Sequence, residues 1–185
     1  MKKWFFVPIL LVIVLGAGGF FFSSSQQKLK GVTSYESCAN AGFAIMDSYP
    51  PRCRTSDGRT FTQDIGNELR FHDEILVEHP RPNQKIDSPL AIKGRARGLW
   101  FFEAQFSAEL FDANNKSLGV AIITAEGDWM TEDFVSFTGE LSFEKPTTEK
   151  GILKLRNANP SGLPEKQKEL IMPIYFTSLS SEKEK

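Results

Sequence analysis

The chain is short of the residues that usually carry chemistry. Its 185 residues include only 2 Cys and 2 His, and 22 basic side chains nearly balance 23 acidic ones. A structural zinc site takes about four N or S ligands, and an activated nucleophile needs a base beside it, so little material exists for either. Balanced charge provides no concentrated positive field for a phosphate backbone, which removes nucleic acid as an expected partner. No glycine-rich phosphate loop, G-x-S-x-G elbow or H-E-x-x-H pair occurs, and no internal repeat is visible. The expectation is a non-enzymatic protein with no catalytic residue, no metal and no cofactor.

Charge is absent altogether from Trp4 to Gln27. Of the 19 residues from Trp4 to Phe22, 15 are hydrophobic, the others being Pro8, Gly16, Gly18 and Gly19. As a helix this run would span roughly 28 Å, close to the ~30 Å of a bilayer's hydrocarbon core. The reading is a transmembrane helix over residues 4–22, with Lys2 and Lys3 in the cytoplasm and everything after it outside the cell membrane. The alternative is a cleaved signal peptide and a secreted protein. A signal peptide's apolar stretch is usually shorter and ends in an A-x-A-like site, whereas this one ends in Phe20-Phe21-Phe22 before Ser23-Ser24-Ser25. Residues 1–27 are thus taken as membrane anchor, or signal peptide, and stalk. The remainder carries 20 bases and 23 acids, a net charge of -3.

Export would give the cysteines a role. Cys38 and Cys53 lie 15 positions apart, and in an oxidising compartment a disulfide between them persists. Closing such a loop stabilises a fold by roughly 3 kcal/mol in the chain-entropy model. Residues 31–64 read as a small two-Cys unit, too poor in apolar side chains to fold without that staple. Asp57-Gly58 followed by Thr60 and Phe61 reads as a tight hairpin turn.

Residues 73–178 read as all-β, and residues 179–185 as a flexible charged tail. Phe102, Ala104, Phe106, Ala108 and Leu110 alternate with polar residues, a period of two that marks one buried face. Phe137, Gly139, Leu141 and Phe143 form a second such set. Leu118, Val120 and Ile122 open a further strand after the turn at Asp112 to Lys116. Strands at Ile75 to Glu78, Leu90 to Arg97, Gly151 to Arg156 and Leu170 to Phe176 bring the expectation to a seven-strand immunoglobulin-like sandwich. Pro173 places the last strand at an edge or beside a bulge.

Several constellations invite a chemical reading and decline it. Asp112, Asn114 and Asn115 lack the glycine and terminal acid of a calcium loop. His72 and His79 have no third ligand at a useful spacing. Gly127-Asp128-Trp129-Met130 reads as a loop capping the sandwich with its Trp. The candidate binding surface is Arg95, Arg97, Trp100 and Phe101, where basic residues on one face of a strand run into two aromatics. Such a patch suits an envelope protein or a glycan, an anionic cell-wall polymer or peptidoglycan included.

A set of residues in order carries a resemblance. Pro80-Arg81-Pro82-Asn83, Ser88-Pro89-Leu90, Gly94-Arg95-Ala96-Arg97-Gly98 and Trp100-Phe101-Phe102-Glu103 are followed by Gly127-Asp128-Trp129-Met130, Phe134, Phe137 and Ile171-Met172-Pro173-Ile174 before Phe176. Over about residues 75–177 this resembles the immunoglobulin-like domain of bacterial spore germination, the Gmad-type family. The resemblance implies an extracytoplasmic β-sandwich in a membrane-anchored or secreted bacterial protein, with no catalytic residues to carry over.

Overall fold

The computed structural model describes residues 29–177. The expected membrane segment at 4–22 and tail at 179–185 lie outside them. Among the described residues no helix is long and apolar enough to cross a membrane. Over the described residues the fold class is corrected to all-β with a disulfide, without a transmembrane helix. The chain divides into two compact units between Asp64 and Ile65.

The first unit builds a helix and three short strands around very little core. Helix α1 (Tyr35–Asn40) starts at Ser34, whose hydroxyl accepts from the Ser37 amide at 3.2 Å while the Ser37 hydroxyl accepts from the Ser34 amide at 2.9 Å. This reciprocal capping satisfies amides that a helix start would leave unpaired. Strands β1 (Ala44–Met46), β2 (Arg52–Arg54) and β3 (Thr60–Thr62) pair antiparallel in that order. The β2–β3 turn contains Gly58 at φ 91°, and the Asp57 carboxylate holds the Arg59 guanidinium at 2.9 Å. Cys38 on α1 and Cys53 on the central strand are disulfide-bonded, as expected, with their α-carbons 6.0 Å apart. Both are fully buried, together with Val32. Arg59 also donates to the Val32 and Leu29 carbonyls, each at 2.9 Å, tying the chain before the helix to the hairpin.

The second unit contains β4 (Ile75–His79), β5 (Lys85–Ile86), β6 (Leu90–Arg97), β7 (Gln105–Asp112), β8 (Ser117–Ala125), β9 (Phe134–Leu141), β10 (Lys150–Arg156) and β11 (Glu169–Phe176). Hydrogen bonding runs β4-β6-β9-β8-β7-β10-β11-β5, one continuous eight-stranded sheet. The direct pairs between β8 and β9 are few, and there the sheet turns over on itself. Phe106 of β7 meets Phe137 of β9 edge-on at 5.1 Å, so the two layers share one core. Buried Leu90, Ile92 and Ala96 of β6 face Leu110, Leu153, Leu155, Met172 and Ile174 of the other layer within that core.

Two details correct the seven-strand expectation. The eighth strand, β5, has two residues and pairs parallel with the end of β11. Two residues carry no alternation to read. In β8 the register against β7 shifts between Leu110 and Phe111, which leaves Leu118 as an extra residue. The bulge reverses the facing of the strand beyond it: Leu118, Ala121 and Ile123 are buried, whereas Val120 and Ile122 are exposed.

The rest of the β11 edge is covered by a side chain. The Asn67 amide accepts from the Ile171 N–H at 2.7 Å and donates to the Glu169 carbonyl at 2.9 Å, pairing as a strand would. The buried Glu68 next to it accepts from Arg81 at 2.6 Å. Covered edges of this kind remove a template for edge-to-edge aggregation.

Candidate functional site

The four residues expected to form a binding surface do not form one. Trp100 is 1% exposed and Phe101 4% exposed, both within the core. Trp100 stands edge-on to Phe71 at 5.9 Å and to Phe106 at 6.0 Å. Strand β6 ends at Arg97 and gives way to a single 3-10 turn over Gly98–Trp100, which breaks the alternation and swings Trp100 inward. Arg97 is committed to the scaffold: Nε donates to the Asp73 carbonyl and Nη1 to the Glu132 carbonyl, each at 2.6 Å, with the guanidinium 4.6 Å from the Phe134 ring centre. Arg95 alone is on the exposed face, paired with Glu78 at 3.1 Å.

The same turn that buries Trp100 exposes its neighbours. Leu99 is 81% exposed and Phe102 46%, and Met130 across from them is 77% exposed. They line an open cleft of about 520 Å³ together with Trp129 and Pro160. Three connections build it at one end of the sandwich: residues 98–104 between β6 and β7, 126–133 between β8 and β9, and 157–168 between β10 and β11.

Each connection is fixed by its own hydrogen bonds. Phe102 and Gln105 exchange backbone bonds, both at 3.0 Å, around Glu103 and Ala104 at φ 51° and 62°. A two-residue turn with both φ positive matches the twist of a β-hairpin, but is normally Asn-Gly; a non-glycine residue there is strained. In the second connection the Asp128 carboxylate accepts from the Met130 amide at 3.0 Å, and the Thr131 hydroxyl from the Asp133 amide at 3.2 Å. In the third, the buried Asn157 side-chain oxygen accepts from the Lys168 amide at 2.7 Å and from the Gln167 side chain at 3.0 Å. Ala158 donates to the Trp100 carbonyl at 2.9 Å, joining the third connection to the first. Apolar side chains are thus displayed on loops with little freedom to collapse over them.

The electrostatics lean negative. The three connections contain six acids, Glu103, Glu126, Asp128, Glu132, Asp133 and Glu165, against two bases, Lys166 and Lys168, both in the third. The carboxylates with shifted titration lie elsewhere and serve the fold. Asp112, in the β7–β8 turn, is held below the usual carboxylate range by the Thr147 hydroxyl at 2.7 Å and then by the Lys116 amide at 2.9 Å. Among the described residues no group of three or more His, Cys, Asp or Glu could hold a metal ion. His72 rests on the Leu69 carbonyl at 2.7 Å, and His79 faces Gln84 at 3.4 Å.

Two facing β-layers on one core, with an open apolar cleft among the loops at one end, define an immunoglobulin-like β-sandwich. Residues 74–162 match the family model of the immunoglobulin-like domain of bacterial spore germination, and this part of the chain is similar to that family. The match runs from β4 through the cleft and ends before β11. No curated protein and no solved structure matches the chain.

Leu99, Phe102 and Met130 escaped sequence reasoning. Phe102 sat in phase with a buried alternation, and nothing local marks the positive φ of Glu103 and Ala104 that turns it out. A usable signal did exist in Trp129-Met130, two large apolar residues inside an otherwise acidic loop.

Proposed function

We propose that the protein is a non-enzymatic interaction module of the bacterial cell envelope, acting on the extracytoplasmic side and binding through the apolar cleft at the loop end of its sandwich. The observation that carries this reading is the exposure of Leu99, Phe102 and Met130 on one hydrogen-bonded frame. Large apolar side chains clustered in the open are where protein partners find their anchoring energy. The Cys38–Cys53 disulfide supports an oxidising, extracytoplasmic location. The cleft lining includes no His, Cys, Ser or Lys, and its hydroxyl, on Thr131, accepts from the Asp133 amide, which supports a binding role.

The test is co-sedimentation of the full-length protein with envelope fractions and, separately, with purified peptidoglycan. The expected result is retention on protein-containing envelope and loss of retention in a Leu99→Ser, Met130→Ser variant whose unfolding midpoint is unchanged. Retention on peptidoglycan alone would transfer the reading to a glycan-binding accessory protein. Retention indifferent to both substitutions would remove the cleft from the function.

A further inference from the structure

Resting on that reading, we infer that the partner offers the cleft a cationic apolar polypeptide segment: large apolar side chains against Leu99, Phe102 and Met130, with Lys or Arg beside them. The argument is charge complementarity. Glu132 lines the cleft, and Glu103, Glu126, Asp128 and Asp133 lie within three residues of lining positions along the same loops. Asp128 is spent on the Met130 amide. Glu103, Glu126, Glu132 and Asp133 are exposed, and none makes an ion pair among the described residues.

Of the bases nearest by chain, two are engaged and the third borders the cleft on one side only. Arg97 gives its guanidinium to two backbone carbonyls and the Phe134 ring. Lys168 pairs with Glu74. Lys166 stands beside Glu165 in an adjoining hollow that shares Leu99, Ala158 and Pro160 with the cleft. A net negative charge on the loops around an apolar floor steers cations in and repels anions, and it is indifferent to a neutral sugar. Each exposed pairing is weak, so the effect lies in selectivity and encounter rate more than in affinity.

The experiment uses the full-length protein in non-ionic detergent and two short fluorescein-labelled peptides, one with two leucines among lysines and its counterpart with glutamate for every lysine. Fluorescence anisotropy at low salt should give the lysine peptide an affinity at least about tenfold higher, with the gap closing once salt shortens the Debye length below ~10 Å. Replacing Glu103, Glu126 and Glu132 by Gln and Asp133 by Asn should erase the preference. Leu99→Ser with Met130→Ser should erase binding of both peptides. Equal binding of the two peptides by the wild type, or a preference that survives neutralisation, overturns the inference. If the Leu99→Ser, Met130→Ser variant still loses envelope association in that case, only the partner's chemistry was wrong; if it does not, the cleft itself is not the site.

Discussion

A β-carbon on Gly98 would lie 2.3 Å from the Trp129 carbonyl oxygen and 2.1 Å from that of Thr131. No real side chain fits there, so the first and second cleft connections are in contact through a position only glycine can occupy. Gly98→Ala must push residues 129–131 outward, and overpacking of this kind costs about 1–3 kcal/mol. Urea unfolding followed by tryptophan fluorescence should show the loss of stability, together with an altered native spectrum from Trp129.

The strained turn at Glu103-Ala104 predicts the opposite sign. Left-handed backbone costs a residue with a Cβ roughly 1–2 kcal/mol, and Asn-Gly adopts it readily. Replacing Glu103 by Asn and Ala104 by Gly should raise stability by about 1–2 kcal/mol, with the fold unchanged. A flat or lowered urea midpoint would show that the strain is absent. The same turn starts at the exposed Phe102, which fits the tendency of costly backbone to collect where a surface is used.

The disulfide should matter to one unit and not the other. Cys38→Ser with Cys53→Ser releases a loop closed over a sequence separation of 15. The expected cost is about 3 kcal/mol, borne by the small unit, whose other buried hydrophobic residue among those described is Val32. Hydrogen exchange should rise across α1 and β1–β3 while amides of β6, β7 and β10 keep their protection.

Acid should act through Asp112. Its folded pKa lies below the ordinary value of 3.8, chiefly through the Thr147 hydroxyl. A depressed carboxylate stabilises the fold at pH values above its unfolded pKa, and that stabilisation is lost as pH falls through the folded value. Unfolding midpoints measured downward from pH ~5 should therefore fall less steeply in Asp112→Asn and in Thr147→Val than in the wild type.

Periodic signals were legible in the sequence, and single-residue interruptions of them were not. The sequence put the basic residues of β6 on one face, and Arg95 is exposed there while Leu90, Ile92 and Ala96 are buried on the other. With only two cysteines the staple was legible too. Trp100 and Phe101 were misplaced because a 3-10 turn interrupts the alternation just where it was extrapolated. Val120 and Ile122 are outward because one bulged residue, Leu118, reverses the phase of a strand. Asn67 leaves no pattern at all, since one side chain there does the pairing of a strand.

The central claim, that partners meet the molecule at the loop end, is tested most directly by site-specific photo-cross-linking in cells. A photoreactive side chain at position 130 in the cleft is compared with one at position 93 on the exposed face of β6. The account predicts discrete protein adducts from position 130 that disappear with Leu99→Ser, and none from position 93. Adducts from position 93 alone would contradict it.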